Sequence, residues 1–126
     1  MSLLSVLGVA ACFSANADGS VDLPFDPVTG ALRPAVWQRW LDWDPVRMVP
    51  SRADALRGLR AIWIDAGTRD EFHLDLGAQA FRAALEDIGV ADDRVHFELF
   101  EAGHMGIDYR YPMSLAWLCD RINPDH

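Results

Sequence analysis

At 126 residues the chain is long enough for one domain with a moderate core. Its formal charge of −8, with all 11 basic residues arginine, argues against the clustered cationic surface that nucleic acid requires. A hydrophobic fraction of 51% with five tryptophans argues against disorder, and no apolar run reaches the ~18 residues of a membrane span.

Cys12 and Cys119 are too few and too far apart for a disulfide framework, which points to a reducing compartment, the cytoplasm. The four histidines show no His-x-x-x-His spacing and the cysteines no Cys-x-x-Cys spacing, so neither a metal nor a cofactor is expected. Residues 6–13 are apolar and read as a buried strand. A rival reading takes residues 3–17 as a secretory leader, with Ala15-Asn16-Ala17 as a small-residue cleavage site and Val9-Ala10-Ala11-Cys12 as a lipoprotein-like box. No Arg or Lys precedes that stretch, which weakens the rival. Ser14 ends the run without the sharp elbow that exposes and activates a nucleophile.

Residues 18–50 read as loops and a short helix. Asp18-Gly19 and Asp26 to Gly30 carry turn chemistry. Pro34 suits the first turn of a helix near residues 34–42. Trp37, Trp40 and Trp43 then form an aromatic face. It is either a wall of a substrate pocket or a stripe packed on the sheet, and helical spacing favours packing. Asp44-Pro45 breaks this helix, and Ser51 with Asp54 resembles a capping box for a short helix near residues 51–58.

The stretch from residue 61 to residue 104 organises the rest. Ala61, Ile62, Trp63 and Ile64 predict a strand near residues 61–65, buried on both faces. Gly67 is free to take positive φ, and Asp70 and Glu71 precede a helix near residues 72–88 whose Gly77, Phe81, Leu85 and Ile88 share a face. Gly89 ends that helix. Val95, Phe97 and Leu99 alternate with His96 and Glu98, as in a strand near residues 95–100 exposed on one side. A loop with Gly103, His104 and Gly106 follows, then a helix near residues 113–122 with Pro112 at its start. Arg110, between Tyr109 and Tyr111, is placed to pin that loop by pairing with a carboxylate. His73 and His96 read as exposed.

A strand, helix, strand unit of this length implies a parallel crossover, and open parallel sheets bind ligands at the carboxyl ends of their strands. Asp70 and His104 follow those ends, so they are expected to meet. An acid that orients a histidine is two thirds of a Ser-His-Asp triad, whose chain order in α/β-hydrolases is Ser, acid, His.

The segments IWIDAGTRDEFHLDLGAQAFRAAL and HFELFEAGHMGIDYRYPMSLAWL resemble the last third of the esterase branch of the α/β-hydrolase superfamily that includes S-formylglutathione hydrolase and enterochelin-esterase-like proteins. The resemblance reaches back to LGVAACFSAN, as the family's sixth strand, and to DPVTGALRPAVWQRWLDWDPV, as the helical insertion after it. It implies an α/β fold, the C-terminal part of an α/β-hydrolase in a single domain over residues 1–126, with about three parallel strands. It also implies hydrolysis of a small-molecule carboxylic ester or thioester, with Asp70 as triad acid, His104 as general base and Asp65 as runner-up acid. The family's Gly-x-Ser-x-Gly nucleophile motif is absent from these 126 residues. The chain alone is therefore expected to be inactive. An alternative from another class follows: a non-catalytic, truncated fragment that self-associates as a homodimer or larger assembly, through the unpaired hydrophobic edge of residues 6–13 or through the tryptophan face.

Overall fold

The computed structural model describes residues 3–123. They form helices and one parallel sheet, in two compact units divided between Met48 and Val49.

In the first unit, residues Leu3–Phe13 are helical (α1), which overturns the expected strand near residues 6–13. A strand needs a neighbouring ladder to satisfy its backbone, whereas a helix satisfies it within the segment. Eleven residues rich in leucine and alanine suit a helix, and the apolar run shows no period that separates the two states. With this strand goes the unpaired edge that was one of the two surfaces expected to join a dimer.

After α1 the chain turns at Gly19, with φ +83°, and at Gly30, with φ +73°. Asp18 accepts the Ser20 N–H, and Asp26 accepts those of Val28 and Thr29. Helix α2 spans Pro34–Leu41, with Pro34 in its first turn as its missing N–H allows. Trp40 lies 5.9 Å from Phe13 and 6.0 Å from Trp37, centre to centre, so it packs on α1. Trp43 falls beyond α2 and is exposed. Asp44 then accepts the Val46 N–H and opens α3, Pro45–Met48.

The second unit starts with a 3₁₀ turn, Pro50–Arg52, that runs into α4, Ala53–Arg57. Ser51 lies inside that turn, so the expected capping box does not form, and Asp54 pairs with Arg57 instead. Strand β1, Ile62–Gly67, and strand β2, Val95–Phe100, pair in parallel with Ile62 beside Val95 and Gly67 beside Phe100. The sheet has two strands where about three were expected.

The crossover helix α5, Leu74–Asp87, packs on β1 and carries the fully buried Leu85. Gly89 ends it with φ +78°. Alternation puts Ile62, Ile64, Ala66, Val95, Phe97 and Leu99 on one face of the sheet. Trp63, Asp65, His96 and Glu98 lie on the other, where α6, Arg110–Ile122, contributes Trp117 and Arg110.

Two expectations about that second face need correction. β2 is half-buried along its whole length, and His96 is not exposed: it stacks on Trp63 at 3.7 Å with the Trp117 ring edge 5.7 Å away. Helix α6 also begins three residues early. Pro112 then sits in its first turn, where N–H groups have no intrahelical partner to lose.

Candidate active site

The two strand ends are joined by their backbones. Thr68 N–H donates to the Phe100 carbonyl at 2.8 Å, and Arg69 N–H to that of Ala102 at 2.9 Å. Gly67 makes this approach possible because a Cβ there would lie 2.3 Å from the Ala102 oxygen. Its role is thus the absence of a side chain, not the positive φ expected for it.

Past Gly67 the chain folds back on the carboxylate of Asp70. Its Oδ1 accepts the Phe72 N–H at 2.7 Å, and Oδ2 lies 3.1 Å from His104 Nδ1. The Asp70 turn, followed by His73 at φ +58°, delays α5 to Leu74, two residues later than expected. Left-handed backbone is uncommon outside glycine, though histidine tolerates it better than most residues. Here it brings the chain from the acid into the helix.

Asp70 is buried, with 4% of its side chain exposed, while His104 keeps 39%. Burial acts to raise the Asp70 pKa, but the Phe72 N–H, His104 and the Leu74 N–H together outweigh it and hold the carboxyl below its ordinary value. An ionised carboxylate only accepts hydrogen bonds, so Nδ1 carries a proton, and in the neutral form of the imidazole the lone pair falls to Nε2. No hydrogen bond to Nε2 occurs among the described residues.

Two neighbours position the histidine, and sequence reasoning assigned neither of them a role. Glu71 Oε2 accepts the His104 backbone N–H at 3.2 Å, and the Phe72 ring meets the imidazole edge-on, 5.0 Å between centres. Their one sequence signal is adjacency to the acid.

Asp65, the runner-up acid, is engaged elsewhere. Arg110 Nε donates to Asp65 Oδ2 at 2.9 Å, Nη2 donates to Glu98, and the guanidinium lies 4.3 Å from the centre of the Phe100 ring. Asp65 and Glu98 are opposite each other in the strand register, where two carboxylates repel. Arg110 removes that conflict and, against the opposing effect of burial, holds the Glu98 carboxyl below its ordinary value, with a further contribution from His96.

In the first unit Ser14 is fully buried. Its hydroxyl faces the carbonyls of Ala10 and Asp22 at 3.1 and 2.6 Å and accepts the Trp40 indole N–H at 2.9 Å. Those bonds fasten α1 to α2 and the loop between them, and they leave no free oxygen for attack. Among the described residues no group of three His, Cys, Asp or Glu could hold a metal ion. Among the same residues no helix is long and apolar enough to cross a membrane. Neither a protein-family model nor a curated protein matches this chain.

Proposed function

We propose that this chain carries the acid and the general base of a serine-esterase-type hydrolase acting on a carboxylic ester or thioester. The single observation behind this reading is the contact between buried Asp70 and half-exposed His104 at the carboxyl ends of parallel strands. The β1-α5-β2 unit is then the C-terminal part of an α/β-hydrolase fold. His104 Nε2 takes a proton from a serine as it attacks the carbonyl and returns it to the leaving group, while Asp70 stabilises the imidazolium and fixes the tautomer. Water then releases the acid. The serine and its oxyanion donors come from polypeptide outside this sequence.

The test is expression of the 126-residue chain beside the product of any longer reading frame that continues upstream through a Gly-x-Ser-x-Gly motif. The short chain should neither hydrolyse p-nitrophenyl acetate nor take up a fluorophosphonate probe. The longer product should do both and lose about a thousandfold or more in turnover on His104→Ala. Labelling of the short chain, or turnover indifferent to His104, sinks the proposal.

One observation favours a second, non-catalytic reading. The sheet has only two strands, each with one partner among the described residues, and an isolated strand pair is marginally stable. An open strand edge is a template for a second copy, so a homodimer is the expected form. A monomer by light scattering at micromolar concentration removes this reading.

A further inference from the structure

The opposite end of the same sheet carries a cluster that the hydrolase reading does not use. Arg60 precedes β1, Arg94 precedes β2 and Arg121 lies in the last turn of α6. With Gly58 and Asp93 they line a cleft of about 600 Å³. Ile62 pairs with Val95, so the strand register brings Arg60 and Arg94 to one edge. Six-residue strands put this edge about 20 Å from the ends that lead to Asp70 and His104.

The pairing of the arginines singles the cluster out. The chain has 19 carboxylate residues for 11 arginines. Seven arginines, at positions 33, 39, 47, 57, 69, 82 and 110, have a carboxylate within ion-pair distance. Arg52, Arg60, Arg94 and Arg121 do not, among the described residues, and three of these four line one cleft. Among the described lining residues Asp93 is the one acid beside three arginines.

Among the described residues the three guanidinium groups are held by carbonyls and a ring, with no carboxylate. Arg60 Nη1 donates to the Ile122 carbonyl at 2.8 Å, and Arg94 Nη1 to the carbonyls of Arg57 and Leu59 at 2.9 and 3.4 Å. The Arg121 guanidinium lies 3.7 Å from the centre of the Trp117 ring, which leaves the N–H groups at its own edge available. Capping of α6 explains one arm of Arg60, but it explains neither Arg94 nor the remaining donors. A guanidinium has five N–H donors in a planar fork that matches the oxygens of a phosphate.

We propose that this cleft binds the phosphate group of a small anion, either inorganic phosphate or a phosphate monoester. The site is independent of the esterase reading. It is solvent-exposed, so its affinity is modest and falls as salt rises.

The test follows the arginine Nε–Hε resonances of the intact chain during titration with sodium phosphate and, separately, phenyl phosphate at constant ionic strength. The expected result is saturable shifts confined to Arg60, Arg94 and Arg121, with Arg121→Gln and Arg94→Gln each weakening binding about tenfold, the size of one charge-assisted hydrogen bond. Arg33→Gln should change nothing. Equal binding of the two ligands assigns the site to free phosphate, and tighter phenyl phosphate assigns it to organic esters. Arg94 also braces two carbonyls, so Arg121→Gln carries the decision if the Arg94 variant fails to fold. A non-saturating drift of all arginines, or unchanged affinity in Arg121→Gln, overturns the assignment.

Discussion

Asp65 and Asp70 stand five residues apart on one strand and the turn that follows it, yet they meet opposite fates. Asp65 faces a permanently charged arginine and a second carboxylate beneath α6, so its charge is spent on joining that helix to the sheet. Asp70 faces a titratable histidine with 39% of its side chain exposed, in a turn held by backbone hydrogen bonds. Acid–base chemistry can use a histidine and cannot use an arginine, so on the proposed reading Asp70 has a chemical partner and Asp65 a structural one.

Arg110→Met tests this contrast most severely. It leaves Asp65 and Glu98 opposite each other with no cation between them. The expected loss is about 3 kcal/mol in urea unfolding, the low end for breaking a buried pair because Glu98 is 40% exposed. Asp70→Asn should move the same unfolding midpoint much less. If it moves it more, the division between a structural and a chemical acid fails.

Gly67→Ala comes next. The new methyl would enter the Ala102 carbonyl, so the two strand-end loops must part, at about 1–3 kcal/mol of overpacking. The Asp70–His104 hydrogen bond should break with them, seen as loss of the downfield His104 Hδ1 proton signal. Persistence of that signal in a stable variant would show that the loops do not depend on this approach.

Acid titration sharpens the comparison. The carboxyls of Asp70 and Glu98 both sit below their ordinary values when folded, so each contributes stability that is fully present above the ordinary carboxylate range and is lost as pH falls through the lowered value. In a plot of stability against pH, Arg110→Met should remove most of the Glu98 contribution to the acid limb, leaving the part that His96 supplies, and Asp70→Asn the Asp70 contribution. In Asp70→Asn the His104 imidazole should also lose its preference for the Nδ1–H tautomer by ¹⁵N NMR, a readout on which Arg110→Met is silent.

The smallest effect belongs to Glu71→Ala, which frees the His104 backbone N–H. Exchange of that amide should quicken about tenfold, matching one hydrogen bond, while global stability changes little. Unchanged exchange would remove Glu71 from the site.

Much of the second unit was legible in the residues. Ile62 and Ile64, the Phe81-Leu85-Ile88 face and the alternation of Val95, Phe97 and Leu99 are strong local periods, and the strands and helix lie within about two residues of where those periods put them. The chain order of Asp70 and His104 after two strand ends was enough to bring them together on paper. The opening segment was not legible: Leu3–Phe13 is apolar without a period, and only partners outside a segment separate a buried strand from a helix.

By itself, then, the sequence determined the crossover unit, the two strand-end segments that meet and the lack of a Gly-x-Ser-x-Gly elbow, because these depend on local spacing and chain order. Tertiary structure alone decided which acid reaches the histidine, that Gly67 is needed for its missing Cβ, that Ser14 is sealed, and that three arginines at one end of the sheet have no carboxylate partner among the described residues. Each of those outcomes depends on atoms far apart in the chain competing for the same few ångströms of space and the same hydrogen bonds.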